Sequence, residues 1–318
     1  MNFSNQSIIQ ASAQRDTDQS GIDPSRRRFL FTATAVSSLA LFGGLPELAS
    51  AYSAYPAGLE KKIEQHIKLL RQRGVISSRE KTAWSVYDFT TQKKLVSINE
   101  NAPFQSASMI KPFIALAFFQ QLRTGRVRYD RVARAKMEAM IQRSSNSATN
   151  YFINLLGGRR GPQQVERILR RNNPGMFQQT RIVERIPTNG RTYRNKASAR
   201  DYSRFLYALW HDKLPYSREI KRLMRLPNKD RIYNGAEKVP PGTMIYDKTG
   251  TTSRLCGDMG IVVARGRNGR PHPYTFIAII ERSSRAKNLG HWSSTRGNVI
   301  RQVSSIVYTE LKKTHNLV

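Results

Sequence analysis

The segment from Met109 to Leu122 limits what this chain can fold into more than any other. Its fourteen residues are apolar apart from Lys111, Gln120 and Gln121. A helix apolar on every side has to be enclosed on every side, so it needs a domain with a sizeable core. At 318 residues with 39% hydrophobic side chains, the chain can supply one. Lys111, near the start of that helix, is then a buried amine, and its charged form is disfavoured by burial.

Around this helix the periodicity predicts an amphipathic helix over 59–73, with Leu59, Ile63, Ile67 and Leu70 on one face and Gly74 as a stop. Alternation from Trp84 to Phe89 and from Leu95 to Ile98 predicts a hairpin. Helices are expected over 131–142, 147–156, 162–171, 199–211 and 217–225, with a long irregular stretch over 176–198. Strands are expected at 243–247, 259–264 and 274–280, and a closing helix over 293–312. Strands at both ends and helices between them imply an α+β chain: one sheet built from the two ends and an all-helical subdomain inserted in the middle.

The N-terminus speaks to compartment. Ser25-Arg26-Arg27-Arg28-Phe29-Leu30 leads into an apolar run that ends at Leu45, and Ala49-Ser50-Ala51 follows. A basic start, a short apolar stretch and an A-x-A site make a secretory signal. The S-R-R-x-F-L string resembles a twin-arginine export signal. Residues 1–51 are therefore expected to be a signal peptide, and residues 52–318 an exported domain of the periplasm or the cell envelope. The apolar run is short of the ~20 residues a membrane span needs, so no transmembrane segment is expected in the exported form.

Charge acquires its meaning from that expectation. The chain carries 53 Lys+Arg against 22 Asp+Glu, a formal net charge of +31. Four arginines and four acids cancel within residues 1–51, so the exported part keeps the whole excess. Such an excess fits phosphate binding in general. Export directs it to anionic cell-envelope polymers and away from nucleic acid. A single cysteine, Cys256, rules out an intrachain disulfide framework and is expected to be an inert packed thiol, and no two of the five histidines have metal-ligand spacing.

Three motifs carry chemistry. Ser108-Met109-Ile110-Lys111 opens the buried helix, Ser144-Ser145-Asn146 lies between two helices, and Lys248-Thr249-Gly250 closes a strand. S-x-x-K, S-x-N and K-T-G in this order resemble the signature of serine β-lactamases and penicillin-binding proteins. Phe104 to Ser108 and Ser144 to Asn150 extend the resemblance, which covers nearly all of 59–312 and is strongest to class A β-lactamases. It implies a five-stranded antiparallel sheet flanked by helices (sheet part 59–107 and 236–318) plus an all-helical part (108–235), with the site in the crevice between them.

The residues have a chemical logic as a set. Ser108 is a poor nucleophile without a base in reach, and Lys111 follows one helical turn later. Lys248 supplies a second cation that depresses the Lys111 pKa and attracts a substrate carboxylate. The resemblance implies an oxyanion hole from the backbone N–H groups of Ser108 and Thr251, with Ser144 relaying a proton to the leaving nitrogen. Asn146 would orient the acyl amide, Thr249 would bond the carboxylate, and Gly250 supports the strand. The chemistry needs no cofactor or metal.

Deacylation separates the possible functions. Class A enzymes activate water with a Glu on a loop. Glu184 is the only acid of the 176–198 stretch and is expected to take that role, braced by Asn150, although its E-R-I-P-T context departs from the family pattern. An ion pair of Glu184 with Arg181 or Arg185 is the competing assignment. The interval from Ser108 to Ser144 is also short for the family, which implies an open cleft. Arg254 is a candidate second carboxylate anchor, against a solvated hairpin arginine. The first functional expectation is a β-lactamase acylated at Ser108 and deacylated through Glu184. A D,D-peptidase or other penicillin-binding peptidoglycan enzyme, which does not need Glu184, is the alternative. A non-catalytic basic envelope-binding protein comes third. The partners expected are a small β-lactam or peptidoglycan peptide and anionic envelope polymers, with the protein a monomer.

Overall fold

The computed structural model describes residues 58–187 and 193–318. The expected signal peptide, residues 1–51, lies outside the described residues. Among the described residues no helix is long and apolar enough to cross a membrane.

Seven strands are present among the described residues: β1 (Lys81–Asp88), β2 (Lys93–Ile98), β3 (Phe104–Gln105), β4 (Lys196–Ala197), β5 (Met244–Thr251), β6 (Leu255–Arg265) and β7 (Pro271–Glu281). Five of them form the main antiparallel sheet in the order β2-β1-β7-β6-β5. The class expected from the sequence is the one observed. The two ends of the chain meet at β1 and β7, where Ser85 pairs with Ile277 and Val86 with Phe276. The ribbon of β3 with β4 was not foreseen, because two residues give no alternation to detect.

One face of the sheet is covered by α1 (Leu59–Gln72) and α8 (Leu289–His315). The α1 stripe of Leu59, Ile63, Ile67 and Leu70 is buried there, as its spacing requires. Buried Glu80, just before β1, fixes α8 by accepting from Trp292 Nε1 at 2.7 Å and from Arg296 Nε at 2.9 Å. Cys256 is fully buried on this side, as expected of a packing thiol.

The other face carries the helical block: α2 (Lys111–Arg123), α3 (Arg131–Ile141), α4 (Asn146–Gly157), α5 (Gly161–Asn172), α6 (Ala199–Trp210) and α7 (Ser217–Met224). Every α2 residue from Lys111 to Gln121 is buried, which is the consequence of its all-round apolar surface. Phe113 packs against Phe177, Tyr202 and Phe205 at ring-centroid distances of 4.7, 5.1 and 5.1 Å. At the other end of the helix, Phe118 meets Phe152 at 5.0 Å and Phe119 meets Tyr129 at 5.2 Å.

Phe113 thus joins α2, α6 and the segment that leads into the irregular loop. Phe113→Ala should cost about 3–5 kcal/mol of stability, because its ring neighbours belong to two separate elements, α6 and the irregular stretch, and cannot collapse together into the void. Urea denaturation monitored by far-ultraviolet circular dichroism measures this directly.

Candidate active site

Ser108 does not open the α-helix, as the sequence suggested. It lies in a 3-10 turn, Ala107–Ile110, and α2 begins at Lys111 with Pro112 in its first turn. Ala107 has φ of 45°, in the left-handed region that a non-glycine residue adopts at a cost of roughly 1–3 kcal/mol. That strain is held in place by packing. A Cβ on Gly250 would lie 2.9 Å from Met109 Cγ and 3.1 Å from Ala107 Cβ, and one on Gly257 would lie 2.8 Å from Met109 Cε. Met109 therefore plugs into bare backbone on β5 and β6, and the K-T-G glycine lets β5 lie against the turn that carries Ser108.

Lys111 is fully buried, and its ammonium donates to the Ser144 carbonyl, to Ser144 Oγ at 3.1 Å and to Asn146 Oδ1 at 3.0 Å. The elbow between α3 and α4 is shaped for this. Ser144 has φ of 56°, which turns both its carbonyl and its hydroxyl toward the amine. Ser145, the residue between, caps α4 by accepting from Ala148 N at 3.2 Å. The first and third residues of the motif meet Lys111 while the middle one starts the helix. Burial, aided by the charge of Lys248, pushes the Lys111 pKa down to about 6, so its free amine is abundant at neutral pH.

Lys248 lies on β5, nearly fully buried, with its ammonium 3.1 Å from the Thr249 carbonyl. Burial pushes its pKa down to about 8, against the opposing pull of Asp247 and Asp258. Both acids are themselves buried. Burial raises Asp258 to about 6 despite Arg231, and raises Asp247 as well, with Asn228 Nδ2 donating to its Oδ1 at 2.8 Å. Lys248 therefore remains mostly cationic at neutral pH, beside the buried side chains of Asp247 and Asp258.

Thr251, at the exposed end of β5, receives a bond that the sequence did not foretell. Arg231 Nη2 donates to Thr251 Oγ1 at 2.7 Å and Nη1 to the Gly257 carbonyl at 3.0 Å, while the Arg231 backbone N–H bonds Asp258 Oδ2 at 2.7 Å. Asp230 sets this arginine by accepting from the backbone of Ile232 and Tyr233 at 2.9 and 2.6 Å, which folds the segment tightly. Arg231 is thus a second guanidinium beside the end of β5. Arg254 lies on the β5–β6 turn with its guanidinium 4.9 Å over the Tyr193 ring. No motif marks Arg231 in the sequence. The only hint is its position after an Asp that can nucleate a turn.

Glu184 is held within the irregular loop. Glu184 Oε1 accepts from the backbone N–H groups of Tyr193 and Arg194, each at 2.9 Å, and Oε2 is 4.0 Å from Arg194 Nε. Its carboxylate thus turns back into its own loop and is not among the Lys111 partners. The ion pair considered with Arg181 or Arg185 does not form either. Arg181 lies 3.7 Å from Glu166, and Arg185 donates to Asn154 Oδ1 at 2.7 Å. Asn150 braces the loop, but at a different residue. Its amide donates to the Ile186 carbonyl at 2.7 Å and accepts from the Ile186 N–H at 2.9 Å. Ile186 is buried, 3% exposed, so the residue clasped by the S-x-N helix is aliphatic. Among the described residues no group of three or more His, Cys, Asp or Glu is placed to hold a metal ion.

Comparison with known proteins places this geometry. The model of the beta-lactamase enzyme family matches residues 62–136 and 133–311. The chain belongs to that family. No curated protein sequence matches it. Among solved structures it is similar to a mutant of PBP-A, an acyl-enzyme complex with penicillin G, at 24% identity and a TM-score of 0.63 over 80% of this chain and 97% of that one. It is also similar to an ancestral class A beta-lactamase, at 19% identity and a TM-score of 0.61 over 77% and 98%. A beta-lactamase from Desulfarculus baarsii matches at 18% identity and a TM-score of 0.63 over 79% and 98%. At these identities the structural likeness establishes a class A β-lactamase fold.

The two lysines make a prediction about pH. If Lys111 serves as base and Lys248 as carboxylate anchor, the first must be neutral and the second charged, so acylation by penicillin should rise as Lys111 loses its proton near pH 6 and fall as Lys248 loses its own near pH 8. Stopped-flow acylation rates across that range should trace a bell. A profile still climbing well above pH 8 would contradict the assignment of Lys248.

Proposed function

We propose that the protein is a penicillin-recognising acyl-serine hydrolase of the peptidoglycan-peptidase type, acylated readily at Ser108 and deacylated slowly. The observation that carries the second half is the clasp of Asn150 on Ile186, with the Glu184 carboxylate bonded to its own loop. This departs from the first expectation drawn from the motifs, rapid β-lactam turnover through Glu184.

In the acylation step, neutral Lys111 accepts the Ser108 hydroxyl proton as Oγ attacks the substrate carbonyl. The backbone N–H groups of Ser108 and Thr251 hold the developing oxyanion, and Asn146 aligns the acyl amide. The proton passes from Lys111 through Ser144 Oγ, its partner at 3.1 Å, to the leaving nitrogen as the C–N bond breaks. Lys248, Thr249 and Arg231 grip the substrate carboxylate, with Arg231 reaching it from beside Thr251. An ester is then left on Ser108 next to a loop that offers the aliphatic Ile186. Hydrolysis has to proceed without a loop carboxylate to activate water, which is the reason for slow release. PBP-A, a mutant of which was captured as a penicillin G acyl-enzyme, offers a structural precedent for penicillin seated in this fold.

Residues 1–51 support export by the twin-arginine route, and the charge of +31 supports retention at anionic envelope polymers. Isolated envelopes should release the protein as ionic strength rises, and salt-insensitive binding would contradict an electrostatic tether.

Intact-mass spectrometry over time tests the chemistry. The protein mixed with penicillin G should gain one penicillin mass and keep it for many minutes. Glu184→Gln should leave that lifetime unchanged, whereas Ile186→Glu should shorten it by roughly 10²-fold, in the range of a positioned general base. Lys111→Met should lower acylation by about 10²–10⁴-fold. Rapid turnover by the parent that Glu184→Gln abolishes would restore the β-lactamase assignment. Absence of any mass gain would leave only a non-catalytic role.

A further inference from the structure

A second site lies apart from Ser108. A cavity of about 700 Å³ opens between α6, the β1–β2 hairpin and the segment 174–178, and it shares no residue with the catalytic cluster. Its size is that of a small-molecule site. Another cavity of about 730 Å³, beside α1 and α8, has its cations already engaged: Lys62 pairs with Glu310 at 2.8 Å and Arg301 bonds backbone carbonyls.

The α6 cavity is differently provided. Lys94, Arg200 and Arg204 face a single acid, Glu100. The three Lys94 protons go to Ser85 Oγ at 2.8 Å, Glu100 Oε2 at 2.9 Å and Ser203 Oγ at 3.0 Å, so Lys94 and Glu100 form a self-contained pair. Arg200 stands farther from Glu100, at 3.8 Å. Arg204 bonds only a neutral group, the Gly175 carbonyl, at 2.8 Å. Arg200 Nη1 also donates to Asn101 Oδ1 at 3.0 Å, and buried Asp201 lies near enough to Arg204 to feel its charge, so three cations stand against two acids.

Two phenols complete it. Tyr87 and Tyr207 stand edge to face at 5.4 Å, both lining the cavity, and neither hydroxyl has a hydrogen-bond partner among the described residues. Unspent hydroxyls and guanidinium N–H groups beside aromatic faces suit one kind of guest: a carboxylate on a flat apolar body. We propose that this cavity is a binding site for small aryl carboxylates, with the carboxylate on Arg204 and Arg200, a phenol hydroxyl donating to it, and the ring against the tyrosines.

Calorimetric titration of 2-naphthoate into the intact protein tests this. One saturable site is expected, weakened by added salt. Arg204→Gln should weaken binding about tenfold and Tyr207→Phe about threefold, the usual yields of a charge-assisted and a neutral hydrogen bond. Lys248→Gln should change nothing, because the catalytic cleft is not involved. On the parent protein, neutral 2-naphthamide should bind at least about tenfold more weakly than 2-naphthoate, a comparison that needs no variant to fold. The proposal is overturned if Lys248→Gln abolishes binding while Arg204→Gln does not, if the amide binds as well as the acid, or if no saturation occurs by about 10 mM.

Discussion

Lys111 sits buried at the head of an apolar helix with its protons spent on Ser144 and Asn146. A buried amine with poor partners would be intolerable in this core, so the α3–α4 elbow has to come to it. The left-handed Ser144, the cap by Ser145 and the start of α4 at Asn146 are one arrangement serving that need. The same burial, with Lys248 nearby, makes the amine basic only above about pH 6, so stability and reactivity have a common origin. Ser108 is held by a separate device, the insertion of Met109 against Gly250 and Gly257. The lysine is positioned by the helical block and the serine by the sheet, and each depends on the other part being in place.

Much of this was legible in the residues because the informative signals are local. The apolar run of α2, the stripe of α1 and the alternation of the strands each declare themselves within a window of a dozen residues. The three motifs are short and resemble a family signature as a set, so Ser108, Lys111, Ser144, Asn146 and Lys248 could be named as candidates from that resemblance. The strand through Lys248 proved longer than its apolar pattern, since β5 continues to Thr251 by pairing with β6.

What was not legible depends on contacts between distant residues. Nothing in the string E-R-I-P states that Asn150, 36 positions earlier, clasps Ile186 rather than Glu184. The number of residues in the loop and the bonds that the Asn195 side chain makes with the backbone of Val183 and Glu184 decide that register. Arg231 was missed for a similar reason. It stands in an irregular segment, and only the folding of the chain on Asp230 and Asp258 carries it to Thr251. Arg254 has better sequence credentials but is drawn to the ring of Tyr193. Positions set by contacts between distant residues are thus the ones that local pattern describes least well.

The pairing of β1 with β7 has a consequence in time. Ser85 emerges from the ribosome 192 residues before its partner Ile277. Until synthesis is nearly complete, the second strand of the sheet has only β2 to bond, and a lone two-stranded hairpin is marginal in water. The helices between them rest on nearer contacts and can associate sooner. The central strand is therefore a late closure, and a chain stopped short of β7 would display β1 as an open edge prone to pairing with other chains. Synthesis has to reach β6 and β7 before Ser108 can be seated against the sheet, so no shorter fragment assembles the candidate site.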